Sequence, residues 1–325
     1  MAFHDVCNGD ADGLFALRQL RLDNPVDSIL VTGIKRDHAL LERVRARDGD
    51  QVTVLDIALG PNRDALAQLL DAGASVTWYD HHAPGSVPEH PRLKAHIDTA
   101  AETCTSLLVD AKLNGRFRAW AVAGAYGDNL VRSADRLAAM LSLSMEQRAQ
   151  LRLLGEAVNY NAYGDTESDV RIHPAALYRW IAHYSNPFDL MADSPIVHEL
   201  NELRRNDLAR ARTETARLED ARFTMVMLPD APWSRRVIGV FANELATSDP
   251  QRASAVLKEL PEGDYAVSLR APVAAPQGAD VLARNFGGDG RAAAAGIARL
   301  PLADVPRFVA RLATAEWTVR SVANV

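Results

Sequence analysis

The sequence predicts a two-domain α/β protein whose N-terminal domain contains a mainly parallel sheet flanked by helices. The chain of 325 residues is long enough for two domains that each bury a core. Short apolar, β-branched runs alternate with helical patterns, which favours a parallel sheet. A charge-rich helical stretch then precedes a second series of strands and helices. We therefore expect domains at 1–193 and 223–325, the second being a smaller α/β domain, with a helical connector at 194–222.

The first predicted strand, residues 2–7, leads into an acidic loop that carries Asp10 and Asp12. Apolar residues then recur at helical spacing over 14–20, so the loop joins a strand to a helix. An Asx-rich turn that only caps the helix is an alternative interpretation of this loop.

Further polar residues follow the next predicted strands. The run 51–55 ends on Asp56, and the run 74–78 leads into Tyr79, Asp80, His81 and His82. The run 28–34 is a further predicted strand and 37–46 a predicted helix. Right-handed crossovers bring the carboxyl ends of parallel strands to one edge, where open α/β sheets bind ligands. By itself, the Asp-His-His tripeptide is equally typical of a polar turn.

One more carboxylate follows a predicted element in the N-terminal half. The apolar run 117–125 ends shortly before Asp128. We expect Asp128 to be a further candidate ligand.

The second half predicts strands at 223–228, 236–241 and 264–270 and a helix at 253–260. A glycine-rich loop with Gly287, Gly288, Gly290 and Arg291 then precedes an alanine-rich run that is predicted to start a helix. Such a helix start can bind an anion through backbone N–H groups, and Arg291 could clamp a phosphate. A purely structural turn is the alternative.

Composition restricts the function classes. A net charge of −6 argues against a broad footprint on duplex DNA, and 6% aromatic residues argue against an extended base-stacking surface. Two cysteines, without zinc-type pair spacing, favour a reducing cytoplasm over a disulfide framework. The sequence has neither a membrane-length apolar window nor the pattern of a signal peptide.

Together, the spaced motifs resemble the DHH phosphoesterase superfamily, in which a DHH domain is followed by a DHHA1 domain. They are Asp10-Ala11-Asp12, then Asp56, then Asp80-His81-His82, then Asp128, and finally the glycine loop with an Ala-Ala-Gly. The resemblance covers nearly the whole chain. It implies a manganese-dependent hydrolase of phosphate esters or phosphoanhydrides.

The resemblance also implies roles for individual residues. Asp10 would serve one metal ion, Asp12 the other, and Asp56 would bridge both. His81 and Asp128 would complete the second site. His82 would face the scissile phosphate, and Asp80 would orient the histidines. Carboxylate and imidazole donors suit manganese, with magnesium as the alternative, and two such ions can stabilise the attacking and leaving oxygens.

Two positions depart from the superfamily pattern. Val6 stands where many members have a histidine, so the predicted first metal site is either weaker or uses Asn8, His4 or water instead. Asp289 interrupts the glycine loop and puts a negative charge where an anionic substrate is expected.

We therefore predict a cytoplasmic two-metal phosphoesterase that hydrolyses a phosphodiester or phosphomonoester of a small nucleotide or short single-stranded oligonucleotide. The substrate would lie in a cleft between the domains, with the metals on one side and Arg291, the glycine loop and Arg270 on the other. The alternatives are a non-catalytic nucleotide sensor or partner-binding protein and, among enzymes, a single-strand exonuclease or a polyphosphate hydrolase. No membrane or duplex DNA partner is expected, and a homodimer is compatible with the sequence.

Overall fold

A computed structural model describes residues 1–215 and 217–319. The chain forms two compact units, Met1–Leu203 and Arg204–Val325. The division falls inside the segment 194–222 that was predicted as a connector. The functional roles assigned to the two domains stay predictions.

The first unit is built on a parallel sheet of five strands in the order β2-β1-β3-β4-β5. The strands are β1 (Phe3–Asn8), β2 (Ser28–Gly33), β3 (Gln51–Leu55), β4 (Ser75–Asp80) and β5 (Leu93–Ile97). The helices that begin in this unit are α1 (Ala11–Asp23), α2 (Arg63–Asp71), α3 (Thr105–Lys112), α4 (Arg118–Gly127), α5 (Val131–Met140), α6 (Met145–Asn161), α7 (Pro174–Ile181), α8 (Pro187–Asp193) and α9 (Pro195–Thr213). The α/β fold class with a parallel sheet is therefore confirmed.

Both faces of this sheet are buried near the carboxyl ends of its central strands β1, β3 and β4, where successive residues such as Val54 and Leu55 are apolar. Cys7 and Leu55 belong to a core cluster that includes residues of α1, α4 and α6. Val6 and Val54, their neighbours in sequence, belong to the opposite cluster, which includes residues of α2. Successive strand residues point to opposite faces, so a core on both sides needs apolar residues at consecutive positions in this part of the sheet.

The strand order reverses at β1, which lies between β2 and β3. The chain moves outward from β1 to β2, then returns past β1 to β3. At such a point the connections diverge and leave a crevice outside the carboxyl ends of β1 and β3. Asp10 and Asp56 follow these two strands.

The second unit contains a mixed sheet in the order β10-β11-β9-β8-β7-β6, in which only β7 and β8 pair in parallel. Its strands are β6 (Arg217–Glu219), β7 (Phe223–Leu228), β8 (Ala253–Glu259), β9 (Tyr265–Arg270), β10 (Asp289–Arg291) and β11 (Ala294–Leu300). Its helices are α10 (Pro232–Ser248), α11 (Ala279–Arg284) and α12 (Val305–Thr314).

Several predictions for individual segments were wrong. The predicted strand 236–241 lies inside α10, and the predicted helix 253–260 is β8. Every residue of β8 except Glu259 is buried, and a short apolar run buried on both faces has no periodicity that separates strand from helix. The predicted helix 37–46 contains only a short 3-10 turn, Leu40–Arg43.

Among the described residues, no helix has the length and apolar character needed to cross a membrane.

Candidate metal centre

Asp10 begins α1 and holds its first turn. Its carboxylate Oδ1 accepts a hydrogen bond of 3.1 Å from the backbone N–H of Gly13, as an N-cap residue does. The helix-capping interpretation of the acidic loop is therefore correct for Asp10. Capping occupies one oxygen, and the other, Oδ2, accepts a hydrogen bond from Lys35.

Asp12 is buried and anchors a second helix. Its two carboxylate oxygens accept hydrogen bonds of 2.7 Å each from the backbone N–H groups of Thr105 and Ser106. These residues begin α3, whose own N-cap residue, Cys104, makes no side-chain cap. A side-chain oxygen that accepts from the first N–H groups of a helix satisfies donors that have no partner inside the helix. Asp12 therefore ties the N-terminus of α3 to the first turn of α1, which follows β1.

Asp56 follows β3 directly and has a positive φ of 57°. Aspartate is one of the few non-glycine residues that tolerate this left-handed conformation. Its backbone N–H donates to the carbonyl of Tyr79 in β4 at 3.0 Å, which continues the strand pairing by one residue. The turn therefore places the Asp56 carboxylate beside the end of β4.

The two histidines lie at that end of β4. His82 Nδ1 lies 2.7 Å from Asp80 Oδ1, the last residue of the strand. His81 is almost fully buried, whereas the His82 side chain is 39% exposed. One imidazole therefore faces the carboxylates, and the other is hydrogen-bonded to Asp80 and accessible to solvent.

Asp128 reaches the cluster from the C-terminal end of α4. This helix packs against α1 and α6 through small residues. A Cβ atom on Gly127 would lie 2.4 Å from the Cβ of Ala11 and 3.0 Å from the carbonyl oxygen of Gly155. Only glycine allows this approach, which brings the end of α4 to the start of α1.

These elements place three carboxylates around one imidazole nitrogen. His81 Nε2 lies 3.3 Å from Asp56 Oδ1, 3.9 Å from Asp12 Oδ2 and 4.0 Å from Asp128 Oδ2. Ligand atoms of Asp56, His81 and His82 also lie within 4.8 Å of one another. We call the set of Asp10, Asp12, Asp56, His81, His82 and Asp128 the acidic cluster. The roles of its members stay predictions.

Crowding of negative charge perturbs the pKa values in this cluster. Burial and the charges of Asp10 and Asp12 raise the pKa of Asp56 well above its ordinary value. Burial, opposed by Lys35 and reinforced by Asp12, raises the pKa of Asp128 to about 6. Burial lowers the pKa of His82, but the hydrogen bond that its ring donates to Asp80 and the charge of Asp56 outweigh it, so the net shift is upward.

Lys35 is a site residue that sequence reasoning missed. It lies just beyond the end of β2, and its Nζ is 2.5 Å from Asp10 Oδ2. Burial raises the pKa of Asp10, but Lys35 outweighs it and the net shift is downward. Burial likewise opposes the charge of Lys35, yet Asp10 raises the pKa of Lys35 well above its ordinary value. The strand-end rule, applied to the predicted strand 28–34, would have identified this residue.

The predicted substrate-binding residues lie in the second unit and do not begin a helix there. The alanine-rich run after Arg291 forms β11, so the predicted helix N-terminus was wrong. A Cβ atom on Gly288 would lie 2.3 Å from the carbonyl oxygen of Gly296, which gives this glycine a packing role in the hairpin. Arg291 is exposed on β10, where Gly290 has a φ of 149°, and Gly287 also has a positive φ of 73°.

Arg270, at the end of β9, is held by its own unit. Its guanidinium donates to Asn243 Oδ1 at 2.5 Å and to Ser268 Oγ at 3.1 Å. Its predicted contact with substrate stays a prediction.

The acidic cluster fits a divalent cation. Manganese binds carboxylate oxygens together with an imidazole nitrogen. Magnesium also binds carboxylate oxygens but takes fewer nitrogen ligands. The raised pKa values of Asp56 and Asp128 show that their ionised forms are disfavoured without further positive charge. A cation held by Asp12, Asp56, His81 and Asp128 would remove this repulsion.

No protein-family model matches the sequence, and no curated protein matches it significantly. Solved structures do match. RecJ from Thermus thermophilus in complex with Mn²⁺ is 20% identical, with a TM-score of 0.57 over 98% of this chain and 53% of RecJ. This chain thus spans about half the length of that RecJ.

Two further structures match over most of both chains. Another structure of exonuclease RecJ, bound to manganese, is 19% identical, with a TM-score of 0.59 over 99% of this chain and 92% of that one. PggH from Vibrio cholerae, a pGpG-specific phosphodiesterase, is 16% identical, with a TM-score of 0.56 over 97% of this chain and 98% of PggH.

The chain has the same fold as these RecJ and PggH structures. The fold that the motif resemblance implied is therefore confirmed over almost the whole chain. In this fold the acidic cluster lies at the carboxyl edge of the parallel sheet.

Proposed function

We propose that the protein is a divalent-metal-dependent phosphoesterase that hydrolyses a phosphodiester or phosphomonoester of a small nucleotide or short single-stranded oligonucleotide. The observation that carries the proposal is the convergence of Asp12, Asp56 and Asp128 on His81 Nε2, beside the Asp80–His82 pair. Buried carboxylates that lie this close together repel one another. Such an arrangement is typical of a site that binds a cation.

Asp12, Asp56, His81 and Asp128 would hold the ion, with manganese as the expected metal and magnesium as the alternative. RecJ structures contain one or the other, which supports this choice of metal. A divalent ion supplies a Lewis acid for a phosphoryl oxygen and lowers the pKa of bound water. The donor set of the protein determines where that chemistry takes place.

His82 is suited to act on the substrate itself. Asp80 holds its Nδ1, so the ring is oriented and Nε2 is the nitrogen left for a ligand. The upward shift of its pKa makes the imidazolium form more favourable than in an ordinary histidine. An imidazolium can donate a hydrogen bond to a phosphate oxygen or a proton to a leaving group.

The net charge of −6 supports a small substrate over long nucleic acid, because long polyanions are bound by extended basic surfaces. The structural matches include both a dinucleotide phosphodiesterase and exonucleases. A dinucleotide such as pGpG belongs among the test substrates for this reason.

The test is turnover by purified protein with manganese on pGpG, a cyclic dinucleotide, phosphoadenosine phosphate, a short RNA and polyphosphate. The inactive variant is Asp56→Asn, which removes one negative charge and keeps a residue that tolerates positive φ. The matched control is Asp64→Asn, at an exposed position in α2. We expect turnover that is lost on chelation and in Asp56→Asn but kept in Asp64→Asn.

The competing function is nucleotide sensing without catalysis. Val6, fully buried in an apolar cluster, and the Lys35–Asp10 contact are the observations that favour it. Nucleotide binding without turnover on any of these substrates would support the sensor and contradict the enzyme.

A further inference from the structure

Lys35 is held in a defined position on the acidic cluster. Its backbone N–H donates to the carbonyl of Ala162, directly after α6, at 2.9 Å. Its Nζ contacts Asp10 Oδ2 at 2.5 Å and Asn159 Oδ1 at 3.4 Å, and it lies 5.3 Å from the ring centroid of Tyr163. Contacts with the N-cap residue of α1 and with the end of α6 therefore fix this ammonium group.

The acidic groups of the cluster separate into two sets. Asp12, Asp56 and Asp128 have an oxygen within 4.0 Å of His81 Nε2. Asp10 instead has one oxygen on the N–H of Gly13 and the other on Lys35. Only the first set places several potential metal ligands around one point.

The place beside Asp10, where a second metal ion would bind, offers few protein ligands. Residue 6, four residues before Asp10, is a valine that is 0% exposed and packed in the core. The side chain of Asp56 lies within hydrogen-bonding reach of Asp10, so these two carboxylates are the protein donors at this place. Divalent ions of this class take four to six donors, so two carboxylates make a weak site.

We propose that the ammonium of Lys35 takes one of the two cation positions of the acidic cluster, so that the protein binds one divalent ion per chain. The inference rests on the proposed function for what the site does, and it revises the expectation of two ions. Lys35 is a positioning residue here: its ammonium orients Asp10 by a charge-assisted hydrogen bond of 2.5 Å.

The test measures metal stoichiometry, which does not depend on turnover. Wild-type protein, Lys35→Met and Lys94→Met are equilibrated with Mn²⁺ and studied by elemental analysis and electron paramagnetic resonance. Lys94 is exposed on β5 and is the matched control. Thermal unfolding of each apoprotein shows whether the variants are folded.

We expect one Mn²⁺ per chain in wild type and in Lys94→Met, with the six-line spectrum of an isolated ion. Lys35→Met removes a positive charge and frees Asp10, so a second, weaker Mn²⁺ should bind through Asp10, Asp56 and water. Its spectrum should show exchange coupling between two nearby ions.

Two results would overturn the inference. One is wild-type protein that binds two exchange-coupled ions, because a metal ion would then have displaced the Lys35 ammonium. The other is folded Lys35→Met that still binds a single ion. Either result leaves the proposed hydrolysis intact, whereas wild-type protein that binds no Mn²⁺ would contradict both the inference and the proposed function.

Discussion

The acidic cluster of the first unit and the segment 287–291 of the second unit differ in burial and in the strands that carry them. The cluster follows parallel strands, and Asp12, Asp56 and His81 are each at most 5% exposed. Segment 287–291 includes β10, an exposed three-residue strand at the edge of a mixed sheet. Parallel strands bring several chain segments to one edge, whereas a hairpin brings together only its own two strands.

This difference in burial determines how strongly charged groups in each region act on one another. In the cluster, burial and crowding raise the pKa of Asp128 to about 6. Charges on an exposed edge are screened by water and salt. We therefore expect substitutions in the cluster to have large effects and substitutions in segment 287–291 to have small ones.

The largest effect is expected for Asp12→Asn, because Asp12 both anchors α3 and faces the predicted ion. The amide nitrogen cannot accept a hydrogen bond from Thr105 or Ser106, so the free energy of unfolding should fall by about 1–3 kcal/mol. Turnover should fall by about 10³-fold or more with the loss of metal. Chemical denaturation and steady-state rates measure both, and Asp71→Asn, at an exposed position, is the control.

An Asp12→Asn protein with wild-type stability and turnover would show that burial in the cluster has no functional importance.

His82→Gln is expected to have the next largest effect, on kcat without loss of metal. Glutamine can donate a hydrogen bond but cannot transfer a proton, so kcat should fall by about 10²–10⁴-fold. Bound Mn²⁺ should be unchanged because Asp12, Asp56, His81 and Asp128 remain. His198→Gln, on an exposed position of α9, should behave as wild type.

If His82→Gln instead lost its metal with the same drop in rate, His82 would be a ligand rather than a substrate-facing group.

A moderate effect is expected of pH on stability. The pKa of Asp128 is about 6 in the folded protein and 3.8 ordinarily, so its contribution to apoprotein stability is complete below about pH 4 and is lost as the pH rises through about 6. Lys35, Asp10, Asp12 and His81 are the charged groups that act on it. A divalent ion binds the ionised form, so the gain in Tm from Mn²⁺ should grow between about pH 5 and pH 7.

Thermal unfolding with and without Mn²⁺ across this pH range is the measurement. Asp128→Asn should flatten the dependence, and a gain in Tm that is independent of pH in wild type would contradict the assignment.

The smallest effect is expected for Arg291→Ala. Because Arg291 is exposed, the free energy of unfolding should change by less than about 0.5 kcal/mol. If Arg291 contacts a phosphate of the substrate, KM should rise by about 3–30-fold with kcat unchanged. Arg311→Ala, an exposed position in α12 of the same unit, is the control.

A fall in kcat as large as that of His82→Gln would erase the contrast between the two regions and give Arg291 a role in the chemical step.

The sequence by itself determined the fold class and most of the acidic cluster. Asp10, Asp56 and His81 could be predicted because strand periodicity is local and parallel topology then brings strand ends together without further information. Asp128 required a helix end to be recognised from an apolar run. Lys35 was within reach of the same rule.

Only the tertiary structure decided which cluster members meet and which segments of the second unit are strands. The pairing of Asp12 with Thr105 and Ser106 joins residues more than 90 positions apart, and no local pattern encodes it. The buried run 253–258 and the alanine-rich run after Arg291 became strands because neighbouring strands supplied partners for their backbone groups. Propensity is local, whereas partners for hydrogen bonds and for charge come from the whole chain.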